Sequence, residues 1–165
     1  MAALNTGVRA PLFALPTVDG ADFSLEAALK RGPVVLAFFK ISCPVCQYAM
    51  PFVERLFRTH HGAKATVVGI SQDNLRDSKA FMREYNVSFP VALDETSRYP
   101  VSSAYGLTNV PTLFYVAGDG EIEISSVGWS KSDMEAIHRK LSEHRGQAAA
   151  SFWRKGEQVQ DSRAG

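Results

Sequence analysis

Residues 34–46 carry the most informative pattern in this chain, and they read Val34-Val35-Leu36-Ala37-Phe38-Phe39-Lys40-Ile41-Ser42-Cys43-Pro44-Val45-Cys46. The first six residues are all apolar, which predicts a strand buried on both faces of a sheet. The segment after Cys43 has helical periodicity, so Cys43 and Cys46, the only two cysteines, lie where a strand gives way to a helix. A Cys-X-X-Cys pair in this position is typical of redox-active proteins.

The place of the pair at a helix start has a chemical reason. Backbone N–H groups and the helix dipole at that end favour a thiolate over a thiol. The second sulfur, one helical turn later, is within reach for a disulfide bond. Such a bond closes a very short loop and adds little stability. The pair therefore predicts thiol–disulfide chemistry rather than a structural crosslink.

The composition indicates an ordinary globular protein. The chain has 165 residues, 45% hydrophobic and 21% charged, which is enough for one domain with a hydrophobic core. The net charge is +1 and no basic block stands out, so nucleic acid is not an expected partner. No apolar run approaches the roughly 20 residues of a membrane span, and no signal peptide is visible. We expect a cytoplasmic monomer, or an exported protein if a leader has been removed.

The order of the predicted elements indicates an α/β domain. We expect a flexible segment over residues 1–9, a folded domain over 10–144 and a polar tail over 145–165. Strands are predicted at 10–16, 34–39, 66–70, 91–93, 112–116 and 121–127, and helices at 25–30, 77–85, 100–105 and 131–144 and directly after Cys43. This order predicts a mixed sheet with helices on both faces.

The quoted stretch resembles the strand and active-site motif of the thioredoxin superfamily. The following Ala49-Met50-Pro51 is similar to the TlpA/ResA-type thiol–disulfide oxidoreductases, within the redoxin (AhpC/TSA) group. Further similar segments fall in the family's order at residues 10–15, 67–71, 85–91 and 104–112, so the resemblance covers about residues 10–141. It implies a thioredoxin-like fold, a central mixed β-sheet flanked by helices on both faces, with an N-terminal extension.

The resemblance also implies an activity and its partners. Cys43 would be the exposed nucleophile and Cys46 the buried resolving thiol of a thiol–disulfide oxidoreductase. The expected partners are protein disulfides or dithiols and a thiol reductant that recycles the pair. Neither a cofactor nor a metal is expected.

A substrate groove is implied next to the cysteines. Pro111 would be a cis-proline that faces the disulfide, with Val110 beside it. In this family the backbone next to that proline pairs with the extended chain of the substrate. Pro44 and Val45, between the cysteines, complete the expected substrate contacts.

Two departures from the family leave the buried thiol without an obvious base. Thioredoxins carry a buried Asp on the preceding strand, where this chain has Ala37. TlpA/ResA-type proteins often have Glu before the Met-Pro, where this chain has Ala49. The nearest ionisable residues are Lys40 and Glu54, and we expect both to be solvated surface charges rather than a base for Cys46.

Two other functions stay open at this point. Peroxiredoxins share the fold, and they place Thr or Ser three residues before the reactive cysteine. The corresponding residue is Lys40 for Cys43, and Cys43 for Cys46. Their activating Arg is also missing where this chain has Val110-Pro111. The third hypothesis is a non-catalytic binding module that uses the cis-proline groove.

A metal site is the weakest hypothesis. One Cys-X-X-Cys supplies two ligands, whereas structural zinc takes four. His60 and His61 are the other candidates, but we expect them to be exposed at a helix end. Haem attachment needs His directly after the second cysteine, and Gln47 stands there.

Overall fold

The structure, a computed structural model that describes residues 2–165, alternates short strands and helices. In chain order these are β1 (Ala14–Pro16), β2 (Asp22–Ser24), α1 (Leu25–Leu29), β3 (Val34–Phe39), α2 (Pro44–Thr59), β4 (Thr66–Ser71), α3 (Leu75–Glu84), β5 (Val91–Leu93), α4 (Pro100–Ala104), β6 (Thr112–Val116), β7 (Ile122–Val127), β8 (Trp129–Ser130), α5 (Lys131–His144) and β9 (Ser162–Arg163). Within residues 2–165, no helix combines the length and the apolar character that crossing a membrane requires.

The central sheet has five strands in the order β5-β4-β3-β6-β7. β3 lies in the middle, parallel to β4 and antiparallel to β6. All six residues of β3 are buried, which explains the unbroken apolar run that predicted it. The expected mixed sheet is therefore confirmed.

Both faces of the sheet are covered. Side chains alternate along β3, so Val35, Ala37 and Phe39 join one core cluster while its other three residues join a second. The first cluster is completed by α2 and α5, and the second by α1 and α4. Helices on both faces of an α/β sheet are thereby confirmed.

The amino-terminal segment, predicted to be flexible over 1–9, is hydrogen-bonded to the domain in the structure. Met1 lies outside the described residues, but the residues after it run along the domain. Leu4 N–H donates to the Tyr105 carbonyl at 3.0 Å, and Gly7 N–H donates to the Ile122 carbonyl at 2.9 Å. Both are main-chain hydrogen bonds, which do not depend on the side chains of the segment. The sequence pattern of residues 1–9 therefore gives no sign of them.

The segment after α5 packs against the body, although its composition predicts a polar tail. The Phe152 side chain is buried, so it anchors the segment to its own domain. The Arg55 guanidinium binds both carboxylate oxygens of Glu157, at 2.8 and 2.6 Å. Further on, β9 pairs antiparallel with β8.

Two histidines hold the start of this segment, and the position of His60 corrects the sequence interpretation. His60, expected to be exposed, is buried together with His138, and their ring nitrogens lie 2.9 Å apart. His138 Nε2 lies 2.8 Å from the Ala150 carbonyl, and Arg145 reaches His60 Nδ1 at 3.3 Å. A carbonyl at one end and a guanidinium at the other require two neutral rings, with His60 donating to His138.

The hydrogen bonds of His60 and His138 predict that the protein loses stability in mild acid. Burial, reinforced by His138 and Arg145, lowers the pKa of His60 from 6.5 to about 4. Because the folded state holds the neutral ring, the stabilisation is complete above pH 6.5 and declines as the pH falls towards 4. We expect the free energy of unfolding, measured with urea, to fall by about 3 kcal/mol between pH 7 and pH 4 from this group.

The matched control is the neighbouring histidine. His61 is exposed, so His61→Gln should leave the pH dependence unchanged, whereas His60→Gln should flatten it between pH 6.5 and 4. Equal slopes in His60→Gln and the unmodified protein would contradict this account.

Candidate active site

The cysteine pair lies at the start of α2. Cys43 is the N-cap residue, and the Cys46 N–H donates to its Sγ at 3.2 Å. Pro44 occupies the first turn, where the missing N–H leaves no helical bond unmade. Cys43 is half-buried, and both thiols are free. The helix start therefore presents one reachable sulfur with a backbone donor directed at it.

The second thiol is in a different environment. Cys46 is fully buried in the core cluster beneath α2. Burial raises the pKa of its thiol well above the ordinary value, and the contact with Cys43 and the charge of Asp73 raise it further. Cys46 is thus a protonated thiol that is shielded from solvent, whereas Cys43 is partly accessible to solvent.

The cis-proline loop lies against the exposed cysteine. The peptide bond between Val110 and Pro111 is cis, the geometry that the resemblance implies. The Cys43 thiol donates to the Val110 carbonyl at 3.4 Å. Val110 is half-buried and Pro111 is buried, and the Val110 backbone is the part of the loop that faces Cys43.

The two residues between the cysteines differ in their exposure to solvent. Pro44 is exposed beside Cys43 and remains a candidate substrate contact. Val45, expected as another such contact, is only 7% exposed and packs into the core cluster. Its position on the inward face of α2 corrects that expectation.

Asp73 is a residue of the site that sequence reasoning missed. Its Oδ2 accepts the Ile41 N–H at 2.8 Å, and the Ile41 carbonyl accepts Gln47 Nε2 at 2.9 Å. These bonds fix the loop that leads into Cys43. The signal was available, since β3 and β4 were both predicted as buried strands and the carboxyl ends of parallel strands share one sheet edge.

Glu54 is not the solvated surface charge expected from the sequence. The residue is 6% exposed, and its carboxylate accepts the Ser88 N–H at 2.8 Å and the Phe89 N–H at 3.2 Å. It also accepts the Ser88 hydroxyl and pairs with Arg58. Glu54 therefore fixes the loop before β5.

The other ionisable residue considered as a base for Cys46 is Lys40. Its Nζ lies 5.9 Å from the centre of the Tyr99 ring.

Comparison with known proteins agrees with this site. A profile of the AhpC/TSA family matches residues 6–125. The thiol-disulfide oxidoreductase ResA of Bacillus thuringiensis (strain Al Hakam) is 25% identical, over 84% of this chain and 80% of that protein. The thioredoxin-like protein YneN of Bacillus subtilis (strain 168) is 29% identical, over 80% of this chain and 78% of its own length.

A solved structure supports the same conclusion. The putative thiol:disulfide interchange protein DsbE from Chlorobium tepidum has a TM-score of 0.74 and 26% identity, covering 86% of this chain and 99% of that one. The thioredoxin-like fold and thiol–disulfide exchange, both predicted from the sequence, are confirmed. With most of its length matched and a Cys-X-X-Cys at the start of α2, the chain belongs to the AhpC/TSA family.

Proposed function

We propose that this protein exchanges disulfides with protein substrates through Cys43 and Cys46, and that a thiol reductant recycles the pair. The observation that carries this proposal is the bond between the half-exposed Cys43 thiol and the Val110 carbonyl. A substrate chain that paired with the Val110 backbone would therefore meet the nucleophile directly. The monomeric state and the cytoplasmic location stay predictions.

The first step is attack by the Cys43 thiolate on one sulfur of the substrate disulfide. A bond forms between Cys43 Sγ and that sulfur, the substrate S–S bond breaks, and the other substrate sulfur leaves as a thiolate, which takes up the proton that Cys43 released on forming its own thiolate. The backbone N–H of Cys46, 3.2 Å from Cys43 Sγ, stabilises negative charge on the attacking sulfur.

The second step releases the product. Cys46 attacks Cys43 Sγ, the protein disulfide forms, and the remaining substrate sulfur leaves with the proton of Cys46. Two electrons have then passed from the dithiol to the substrate, and the reverse sequence oxidises a dithiol. Because burial raises the pKa of Cys46, this step depends on removing its proton, and we propose that it is the slower of the two.

A paired rate assay on the reduced protein tests the proposal. One arm offers insulin or a small aromatic disulfide, the other hydrogen peroxide, and thiol loss is followed by quenched alkylation and mass. We expect disulfide exchange to be faster than peroxide consumption by about a hundredfold or more, because within the described residues no Thr, Ser or Arg side chain is hydrogen-bonded to Cys43 Sγ. Faster peroxide consumption that needs Cys43 would instead favour the peroxidase.

A further inference from the structure

The segment from residue 158 onward runs from the flank of α2 to the cis-proline loop. Gln160 connects it to two aromatic side chains: its N–H donates to the Tyr48 hydroxyl at 3.0 Å, and its carbonyl accepts Trp129 Nε1 at 2.7 Å. The Lys131 N–H then donates to the Asp161 carbonyl at 2.9 Å. The segment is therefore held by directional bonds up to residue 161, and the pairing of β9 with β8 continues them over Ser162 and Arg163.

Beyond this point the backbone enters the groove beside Val110. Asn109 Nδ2 donates to the Gly165 carbonyl at 3.1 Å. A Cβ added to Gly165 would lie 2.2 Å from the Val110 carbonyl oxygen and 3.5 Å from Pro111 Cδ. The segment thus touches the same carbonyl that accepts the Cys43 thiol.

The opposite wall of this groove admits the segment because it has no side chain. Gly128, in the turn between β7 and β8, bonds through its N–H to the Pro111 carbonyl at 2.8 Å. A Cβ at Gly128 would lie 2.5 Å from the Arg163 carbonyl oxygen and 3.2 Å from the Gly165 nitrogen. Residues 163–165 therefore lie between Gly128 and the cis-proline loop.

We propose that residues 162–165 form a specificity element that occupies the substrate groove beside Val110. This inference rests on the proposed function, since it concerns which disulfides reach Cys43. An extended polypeptide that pairs with the Val110 backbone must displace the element, whereas a small disulfide needs only the half-buried Cys43 and no pairing with that backbone. The element thus disfavours extended peptide disulfides relative to small ones.

Truncation after Asp161 tests the inference, because it removes the element and keeps the bonds of Gln160 and Asp161. The assay compares kcat/KM for insulin with kcat/KM for a small aromatic disulfide. If the element fills the groove about nine-tenths of the time, truncation raises the insulin value about tenfold. We expect the small disulfide to change by less than about twofold, since it needs no pairing with the Val110 backbone.

Two variants complete the experiment. Asn109→Ala removes the side-chain bond to Gly165 without shortening the chain, so a smaller shift in the same direction is expected even if the truncated chain folds poorly. Lys155→Ala alters an exposed residue of the same segment outside the groove and should change neither rate.

The outcomes separate this inference from the proposed function. In one outcome, the truncated protein and Asn109→Ala each exchange with both disulfides while the ratio of kcat/KM for insulin to kcat/KM for the small disulfide stays unchanged. That result would overturn the specificity element and leave the proposed function intact. A lower insulin rate after truncation would overturn it too, because the segment would then be aiding the substrate. Failure of the full chain with both disulfides would overturn the proposed function and this inference together.

Discussion

Cys43→Ser is expected to lower the rate of disulfide exchange by about a thousandfold or more, because a hydroxyl does not replace a thiolate as the nucleophile on sulfur. The structure gives the reason that Cys43 and not Cys46 carries this step. Cys43 is half-buried at the helix start, with the Cys46 N–H and the Val110 carbonyl as its partners. The measurement is thiol release from a small aromatic disulfide, followed spectrophotometrically.

Cys46→Ser is the matched control, since it makes the same sulfur-to-oxygen change three residues further on. This variant keeps the Cys43 nucleophile, so the first step proceeds, but no second thiol releases the product. We expect a covalent adduct between Cys43 and the substrate to accumulate to about one per protein, detected by intact mass. The adduct should disappear on addition of a strong reductant.

The mechanism would be contradicted if either variant gave the result expected of the other. An adduct in Cys43→Ser would mean that Cys46 attacks first, against its complete burial and its raised pKa. Undiminished exchange in Cys46→Ser would mean that substrate thiols alone resolve the intermediate. Unfolding curves of both variants are needed to show that the fold is kept.

Local patterns are sufficient for the sheet and its helices. β3 is predicted from six consecutive apolar residues, and α5 from its apolar stripe, because burial on two faces and on one helical face leave different periods in the sequence. The cysteine pair is found for the same reason, since its spacing and its place after β3 are local features.

What the sequence does not reveal depends on contacts between distant polar residues. Arg55 and Glu157 are 102 residues apart, and His60 and His138 are 78 apart. Neither pair leaves a periodic signal, so the last segment is predicted as a tail although it packs against α2. Asp73 was missed for a different reason, because its acceptor role toward Ile41 follows only once the parallel pairing of β3 and β4 is used.

Glu54→Ala is expected to destabilise the fold by about 3 to 4 kcal/mol, because the Ser88 N–H, the Ser88 hydroxyl and the Phe89 N–H all lose a charged acceptor. Glu54→Gln should lose less, since an amide oxygen still accepts. The matched control is Glu123→Ala, which breaks the surface pair with Lys140 at 3.1 Å and should cost at most about 1 kcal/mol. The free energy of unfolding in urea measures all three.

The pH dependence of the stability difference between the unmodified protein and Glu54→Gln identifies the carboxylate as the source of that difference. Burial by itself raises the pKa of Glu54, but the hydrogen bonds from Ser88, Arg58 and Phe89 outweigh it and hold the pKa below its ordinary value of 4.5. Stabilisation by the charged form is therefore complete above pH 4.5 and is lost as the pH falls through the folded-state pKa. The stability gap between the unmodified protein and Glu54→Gln should narrow over that range. A gap that stays constant would show that the shape of the side chain, and not its charge, holds the loop before β5.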